Sequence, residues 1–396
     1  METTQVQTMG IKPLNKFLAT KPIYYTKFDP TRIVKAYELI NNHISHPKRV
    51  QLVGTNGKGS TGRAIAHLAS ASGLSVGHFT SPHILDFKER FWIDGKFATN
   101  EELQIAHERL YTLLGKEMAE SLSYFEYQAL LAFVLFENLD LQVIEAGLGG
   151  EFDATSVANY ELTVVVPIGF DHSDFLGDNL EQIATTKLKA MASKALIAKQ
   201  NSKEVYEVAK IVAKDSNTKL FFYENIDSKN IEQVAKIAKA KAWPSYLVEN
   251  IVNATYALDI LNIEYNLDDL YTLELFGRFY KIAPNVTIDV GHNPLAASAI
   301  VGAIKDKVTL IFNILGDKDL TKTLEILKPK IKDVQIIKID TQRATELKEI
   351  EELLDSLGLK YSYFNGELDE SKEYLVFGSF YVVEAFLKSI NLGVIV

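Results

Sequence analysis

The sequence predicts an α/β protein, and three observations lead to that prediction. Short apolar runs rich in β-branched residues recur along the chain and alternate with segments of helical spacing. A glycine-rich segment, residues 54–61, separates one of these runs from the helix-like segment that follows it. The alternation begins again near residue 285, which indicates a second domain of the same class. Nearly continuous apolar strands of this kind are typical of parallel sheets that helices cover on both faces.

The first domain is expected to span residues 1–283. Strands are predicted at residues 49–54, 74–79, 141–146 and 162–168, and helices at residues 60–72 and 126–139. The helix at residues 60–72 should end at Gly73. Residues 199–242 are rich in Lys and Ala, and we expect a surface strand and helix of this domain there rather than a linker.

The second domain is expected to span residues 284–396, after a proline interrupts the pattern at residue 284. Its strands are predicted at residues 286–290, 308–315, 334–339 and 374–377. Pro294 should open a helix with Asn293 as its cap, and Gly358 should end a helix over residues 346–357.

The composition excludes several classes of protein. Of the 396 residues, 47% are apolar and 23% are charged, which suits a folded chain. A net charge of −9 argues against a general surface for nucleic acid or for acidic membranes. The chain has no cysteine, which excludes disulfide scaffolds and thiolate metal sites. The longest apolar run has eight residues, and we expect no secretion signal, a cytoplasmic location and a monomer.

The glycine-rich segment is predicted to bind phosphate. It consists of Gly54, Thr55, Asn56, Gly57, Lys58, Gly59, Ser60 and Thr61. Glycines let several backbone N–H groups converge on phosphate oxygens at a helix N-terminus. Lys58 would contact the terminal phosphates, and Ser60 or Thr61 would offer a hydroxyl to Mg²⁺. The segment departs from the common phosphate loop, because Leu52 stands at its first glycine and Gly59 follows the lysine.

A series of blocks in fixed order resembles the Mur ligase superfamily and, within it, the folylpolyglutamate synthases and dihydrofolate synthases. The blocks are GTNGKGST (54–61), TSPHILDFKERFWIDG (80–95), YFEYQALLAF (124–133), EAGLGGEFDAT (145–155), DHSDFLGDNLEQIATTK (171–187), GR (277–278), DVGHNP (289–294), GDKD (316–319) and GSFY (378–381). The resemblance implies a phosphate-loop ATPase domain with a mostly parallel sheet, followed by a smaller Rossmann-like glutamate ligase domain.

The same resemblance implies an ATP-dependent amide ligase. Such an enzyme phosphorylates a carboxylate, and the amino group of L-glutamate then attacks the acyl phosphate. The implied acceptor is 7,8-dihydropteroate, tetrahydrofolate or both. ATP and one or two Mg²⁺ ions are the implied cofactors, and all implied partners are small molecules.

Several residues are candidates for holding magnesium. Glu145 ends a predicted strand, where open α/β sheets place ligand sites. The resemblance adds Ser81 and His172 as ligands beside Glu145. It also matches Lys187 to a lysine that becomes a carbamate and binds a second ion. Taken alone, Lys187 is equally well a solvated helix residue, and Lys189 should face elsewhere on that helix.

Other candidates are assigned to the nucleotide and the pterin. Within the resemblance, Asn253 meets the adenine ring, Arg278 reaches the phosphates, and Asp289 and His292 approach ATP from the second domain. The pterin pocket would include Phe125, Asp153 and His83. From the residues alone, Phe125 is equally well a core side chain, and Asp153 is equally well a helix cap.

The chain also departs from the family's usual pattern. Glu151, Ser156, Phe276 and Tyr280 replace an Arg, an Asn, a Pro and a Glu that are common there. These changes concern substrate preference more than ligase chemistry. A ligase for UDP-muramoyl peptides is an alternative, but about 53 residues before Gly54 are too few for its extra domain. A nucleotide-binding switch or ATPase without ligase activity is a second alternative, and a structural role is a third.

Overall fold

The protein folds around two sheets, one of eight strands and one of six. The structure is a computed structural model that describes residues 10–22, 29–171 and 176–391. Both sheets are mainly parallel, and helices connect most of their parallel strands. The α/β class expected from the alternating pattern is confirmed.

The first sheet has the phosphate-binding segment near its middle. Its strands are β1 (Lys48–Val53), β2 (Val76–Phe79), β3 (Phe91–Ile93), β4 (Lys96–Phe97), β5 (Leu141–Glu145), β6 (Leu162–Val165), β7 (Lys194–Ile197) and β8 (Lys219–Phe222). They follow the order β4-β3-β2-β5-β1-β6-β7-β8, and only β3 and β4 run antiparallel to their neighbours. β1 therefore lies between β5 and β6 and is buried except at Lys48.

Helices cover both faces of this sheet. They are α1 (Leu14–Leu18), α2 (Pro30–Asn41), α3 (Lys58–Ala71), α4 (Asn100–Ser121), α5 (Tyr124–Leu135), α6 (Leu180–Leu188), α7 (Lys203–Ser216), α8 (Ser228–Ala240) and α9 (Ser245–Leu261). The buried alanines 64, 66 and 69 let α3 lie close to β5 and to α9. The Lys- and Ala-rich segment forms α7, β8 and α8 at the sheet edge, as expected.

The second sheet is smaller and follows the same plan. Its strands are β9 (Tyr280–Ala283), β10 (Val286–Ile288), β11 (Val308–Phe312), β12 (Ile331–Ile336), β13 (Tyr361–Tyr363) and β14 (Tyr374–Phe377), in the order β13-β12-β11-β14-β10-β9. Its helices are α10 (Pro294–Val301), α11 (Leu320–Leu327), α12 (Leu347–Ser356) and α13 (Phe380–Ser389). Asn293 caps α10 as predicted, since its side chain accepts from the backbone N–H of Ala296.

The boundary expected between residues 283 and 284 falls inside a hairpin of the second sheet. β9 pairs antiparallel with β10, so residues 280–283 belong with the second sheet. A four-residue, half-buried strand followed by Pro284 gives little signal in the sequence. We therefore propose that the boundary lies before Tyr280.

The two sheets direct their carboxyl ends toward one cavity of about 410 Å³. Gly54 follows β1, Glu145 ends β5 and Asp289 follows β10, and all three residues line this cavity. Ligand sites of open α/β sheets are expected at such strand ends. Among the described residues, no helix is both long enough and apolar enough to cross a membrane.

Candidate active site

The glycine-rich segment forms a tight loop between β1 and α3. Gly54 has φ +139°, and a Cβ there would lie 2.6 Å from the carbonyl oxygen of Val166. Gly57 has φ +99°, and a Cβ there would lie 2.7 Å from Oδ1 of Asn250. Both positions therefore require glycine on conformation and on space.

Only part of the loop is free to bind an anion. The N–H groups of Thr55 and Asn56 donate to the carbonyl of Pro167, at 2.9 and 3.3 Å. The next four N–H groups, of residues 57–60, open α3 and have no intrahelical acceptor. Because of these orphan donors and the positive end of the helix dipole, residues 57–60 are the part of the loop that could receive an anion.

The two candidate hydroxyls of the loop differ in position. Ser60 lines the cavity, where its Oγ accepts from Nδ2 of Asn250 at 2.8 Å. Thr61 is fully buried, and its Oγ1 has no hydrogen-bond partner among the described residues. Ser60, not Thr61, is therefore placed to meet a metal–nucleotide complex.

Two lysines converge on one backbone carbonyl of the loop. The Nζ atoms of Lys58 and Lys187 each lie 3.2 Å from the oxygen of Gly54. In the described part of the chain, neither lysine forms an ion pair. Burial and the charge of Lys58 lower the pKa of Lys187 to about 7. Lys189 instead pairs with Glu151 on the surface at 3.0 Å, facing away from the site as expected.

Glu145 is a buried carboxylate at the edge of the cavity. It accepts from the hydroxyl of Thr80 and, at 3.4 Å, from the N–H of Ser81. Burial raises the pKa of Glu145 against the opposing effects of Lys58 and Thr80. No ion pair of Glu145 exists among the described residues, so its charge lacks a contacting cation. The donor set of Glu145, Ser81 and Ser60 consists of oxygens, which Mg²⁺ prefers, and these residues fit that ion.

His172, the remaining candidate ligand and catalytic residue, lies outside the described residues. Among the described residues, no group of three or more His, Cys, Asp or Glu side chains could hold a metal by itself. Phosphate oxygens and water would therefore have to complete a magnesium shell at Glu145, as is usual for this ion.

The second domain contributes a carboxylate that neutral donors hold in place. Asp289 is buried and accepts from the hydroxyl of Tyr246 at 2.7 Å and from the N–H groups of Phe279 and Gly291 at 2.8 and 2.7 Å. Burial raises the pKa of Asp289. Nδ1 of His292 lies 3.0 Å from the carbonyl of Val290, which leaves Nε2 as the second ring nitrogen available at the cavity.

A polar network joins the phosphate loop to the second domain. The carboxamides of Asn56 and Asn293 pair at 2.9 and 3.1 Å. Asn293 also donates to Asp171 at 3.1 Å, and Asp171 accepts from Lys318 at 2.6 Å. Sequence reasoning did not assign Asp171, Asn293 or Lys318 to the site, although all three lie within blocks of the family resemblance.

Arg278 stands at the wall of the cavity beside the loop. A Cβ on Gly59 would lie 3.4 Å from Nη2 of Arg278 and 3.4 Å from Oε2 of Glu145. The guanidinium carbon of Arg278 also lies 5.1 Å from the centre of the Phe380 ring. Arg278 is thus close enough to the loop for the predicted contact with phosphate.

The structure does not bring Asn253 to the cavity. Asn253 is buried in α9, where its Nδ2 donates to the carbonyl of Glu249 at 2.8 Å. Asn250, one turn earlier, lines the cavity and contacts both Gly57 and Ser60. The crossing of α9 over α3 turns Asn250 toward the loop, and the adenine contact expected at Asn253 stays a prediction.

The three candidate pterin residues differ in how their polar groups are used. Asp153 caps a short 3-10 helix, and its carboxylate accepts from Leu148 N–H and from the N–H and hydroxyl of Thr155. The half-buried ring of Phe125 packs against Gly147, where a Cβ would lie 2.4 Å from Cζ. His83 accepts from Arg90 at 2.8 Å, and burial lowers its pKa to about 4. His83 is therefore neutral, and its other ring nitrogen remains a donor.

Two of the departures from the family pattern have local explanations. Glu151 pairs with Lys189, so the reversed charge is balanced at the surface. Ser156 donates to the carbonyl of Gly150 at 2.6 Å and accepts from Gln51 at 2.9 Å. Both residues hold the loop that follows Glu145.

Comparisons with known proteins show similarity over nearly the whole chain, although no family model matches it. The solved structure of Helicobacter pylori folylpolyglutamate synthetase is 38% identical and has a TM-score of 0.77, covering 96% of this chain and 98% of that one. A dihydrofolate synthase/folylpolyglutamate synthase of Buchnera aphidicola is 28% identical over 377 residues, 84% of this chain and 86% of its own. The fold of a bifunctional Yersinia pestis enzyme, solved with AMPPNP and Mn, matches with a TM-score of 0.82 at 23% identity, over 96% of this chain and 98% of that one.

The loop, Lys58, the buried Lys187, Glu145 and the carboxylate of the second domain thus occur in a chain that shares its length and fold with these enzymes. The chain belongs to the folylpolyglutamate synthase/dihydrofolate synthase family of the Mur ligase superfamily.

Proposed function

We propose that the protein is an ATP-dependent ligase of folate metabolism that adds L-glutamate to 7,8-dihydropteroate, to tetrahydrofolate or to both. The observation that carries this proposal is the charge distribution of the cavity. Lys58 faces it without a carboxylate partner, beside four open N–H groups and opposite the buried Glu145. A triphosphate and a reacting carboxylate are the anions that such a site would attract.

In this proposal the loop binds the phosphates of ATP. The N–H groups of residues 57–60 receive the phosphate oxygens, and Lys58 leaves the Gly54 carbonyl to neutralise the transferred group. Arg278 supplies a second cation from the opposite wall, and its planar guanidinium suits phosphate oxygens. Asn253 is retained as the proposed contact of the adenine ring, and Asn250 donates to the Ser60 hydroxyl at 2.8 Å.

Magnesium would be held by Glu145, Ser81 and Ser60, together with phosphate and water. When bound, the ion screens the charge of ATP and of the carboxylate that approaches it. His172 is retained as a proposed ligand. Lys187 is proposed to carry a carbamate, because a pKa of about 7 leaves much of the amine uncharged, and the uncharged amine is the form that adds carbon dioxide.

The second domain would handle the amine of glutamate. In the tautomer that donates from Nδ1 to Val290, His292 has a free lone pair on Nε2 and can accept a proton there. Nε2 lies 3.7 Å from Oδ2 of Asp171, whose negative charge would favour a proton on that nitrogen. Asp289 would hold its three donors in place and so orient the segment that bears His292.

The pterin is proposed to lie near Phe125 and His83. The face of Phe125 offers stacking, and neutral His83 offers an N–H donor. The carboxylate of Asp153 already accepts three hydrogen bonds, so we assign Asp153 to the shape of this pocket. A cytoplasmic location is part of the proposal, since a chain without cysteine needs no disulfide and is compatible with a reducing compartment.

The test is ADP release by the purified protein with Mg²⁺, ATP, L-glutamate and one acceptor at a time, with mass spectrometry of the product. A gain of one glutamate on 7,8-dihydropteroate supports dihydrofolate synthase activity, and gain on tetrahydrofolate supports folylpolyglutamate synthase activity. ATP hydrolysis without transfer to either acceptor would contradict the proposal. That result would favour a different carboxylate substrate or an ATPase without ligase activity.

A further inference from the structure

A second cavity adjoins the nucleotide cavity. It has a volume of about 720 Å³, and Gly59, Ser60, Pro82, Arg278 and Phe380 line both cavities. From Gly59 it extends along α3 toward the β3–β4 hairpin. We call it the Arg63 cavity, after the charged residue in its wall.

Arg63 follows Gly59 by four residues, so both lie on the same face of α3. Its guanidinium carbon lies 4.8 Å from the ring centre of Trp92 and 6.0 Å from that of Phe97. The aromatic rings cover its face and leave its N–H groups without a carboxylate, since no ion pair of Arg63 exists in the described part of the chain. A half-buried arginine in this state offers a planar set of N–H donors that suits a carboxylate.

The carboxylates that line this cavity are engaged elsewhere. Glu89 accepts from the backbone N–H groups of residues 84–86, each at 2.7 Å. Glu274 is exposed at the rim and lies 3.6 Å from Lys241. The deep wall also contains His78, which is fully buried and has no partner for either ring nitrogen among the described residues. The two ring nitrogens of His78 thus have no hydrogen-bond partner among the described residues in the part of the wall that contains Arg63.

We propose that Arg63 binds the α-carboxylate of the terminal glutamate of a glutamylated folate acceptor. This inference rests on the proposed function and deepens it. The reacting γ-carboxylate must approach the phosphates at Gly59. The α-carboxylate of the same glutamate lies four bonds away, about 5 Å in an extended chain. One turn of α3 places Arg63 about 6 Å beyond Gly59, which matches that separation.

The proposal separates the two acceptors. 7,8-Dihydropteroate has a single carboxylate, so it would leave Arg63 unused. Folates that already carry glutamate have the second carboxylate and would gain a charge-assisted hydrogen bond from Arg63. Arg63 would therefore act as a specificity residue for glutamylated acceptors. It would favour the addition of further glutamates to a folate that already carries one.

The experiment compares three ligands by calorimetry on the full chain. Pteroic acid has no glutamate, folic acid has one, and pteroylisoglutamine has the same glutamate with its α-carboxylate changed to an amide. We expect the wild-type protein to bind folic acid at least about tenfold more tightly than either of the others. Equal affinity for folic acid and pteroylisoglutamine would overturn the proposal without any variant.

Arg63→Gln should remove the preference for folic acid and leave the affinity for pteroic acid unchanged. Arg63→Lys should keep part of the preference, because the charge remains while the planar donor pattern is lost. The matched control is Lys96→Gln, which removes an exposed charge at the rim of the same cavity and should keep the full preference. Thermal unfolding of each variant shows whether it is folded.

An unchanged preference in folded Arg63→Gln would overturn the proposal, and so would an equal loss in Lys96→Gln. These binding ratios need no turnover, so they are separate from the ligase assay. If the wild-type protein transfers no glutamate, the proposed function fails while the carboxylate preference is still measured. If Arg63→Gln also loses ligation to 7,8-dihydropteroate, Arg63 has a structural role and the inference fails alone.

Discussion

One wall of the nucleotide cavity belongs to the first domain and the other to the second domain. The charged side chains of the two walls differ in whether they have partners. In the first-domain wall, Lys58 and Lys187 rest on the carbonyl of Gly54 and form no ion pair among the described residues. In the second-domain wall, Lys318 is paired with Asp171 at 2.6 Å, and Asp289 is held by three neutral donors. Unpaired buried cations attract an anionic ligand, whereas satisfied groups fix geometry. The first wall is therefore expected to bind the anionic ligand, and the second wall is expected to hold the first in position.

The largest effect is expected from Lys58→Ala, which removes a binding charge from the first wall. Turnover should fall at least about 10³-fold, about 4 kcal/mol of barrier, because the transferred phosphate loses its nearest cation. ADP release measures the loss, and calorimetry measures ATP affinity. Lys189→Ala is the matched control, since that lysine pairs with Glu151 on the surface, and its turnover should stay within about twofold. Near-normal turnover of Lys58→Ala would refute the assignment of the loop.

Lys187→Met tests the cost of burying a second cation in the same wall. The pKa of Lys187 is about 7 in the folded protein against 10.5 ordinarily. Between these values the unfolded chain binds the proton and the folded chain does not, so wild-type stability rises with pH by about 1.4 kcal/mol per unit. The variant should therefore be more stable at pH 7, and its advantage should shrink by about 2 kcal/mol by pH 9.

Urea unfolding at pH 7, 8 and 9 without nucleotide measures this trend. The buffers should be depleted of carbon dioxide, so that Lys187 remains an amine. A stability difference that is the same at all three pH values would mean that Lys187 titrates normally, and the contrast between the walls would weaken.

Glu145→Gln tests the buried carboxylate that ends β5 in the first-domain wall. The half-saturating Mg²⁺ concentration for ADP release should rise ten- to hundredfold, about 1.4 to 2.8 kcal/mol, because an amide oxygen is a weaker ligand than a carboxylate. Glu161→Gln is the control, since that carboxylate accepts from Arg49 at the opposite end of β1. An unchanged magnesium titration in Glu145→Gln would remove Glu145 from the metal site.

The sequence predicts best what short segments determine by themselves. Residues 374–377 were expected to form a strand and form β14 with the same bounds, since four apolar residues in a row need cover on both faces. Asn293 and Pro294 open α10 because a capping side chain and a fixed φ act within one turn. The conformation of the glycine-rich loop is likewise determined by a short segment, residues 54–61.

What the sequence could not predict depends on packing between distant segments. Asn250 and Asn253 are three residues apart on α9, and only the crossing with α3 decides which of them meets the loop. The Asp171–Lys318 pair joins positions 147 residues apart, so no local pattern signals it. The resemblance contained Asp171 and Lys318 within its blocks, but it assigned neither of them a contact.

The smallest effect is expected from Asn293→Ala, which tests whether the second wall positions the first. The Asn293 side chain caps α10 and also pairs with Asn56 of the phosphate loop. Loss of the cap should cost about 1 kcal/mol of stability. Ser202→Ala removes the cap of α7, far from the site, and should cost a similar amount of stability.

Only Asn293→Ala should also lower kcat, by about tenfold, while ATP affinity changes less than twofold. The loop keeps its N–H groups in this variant but loses its link to the second domain. If both variants lose the same stability and keep the same kcat, Asn293 is a helix cap alone, and the second wall positions the loop by other contacts or not at all.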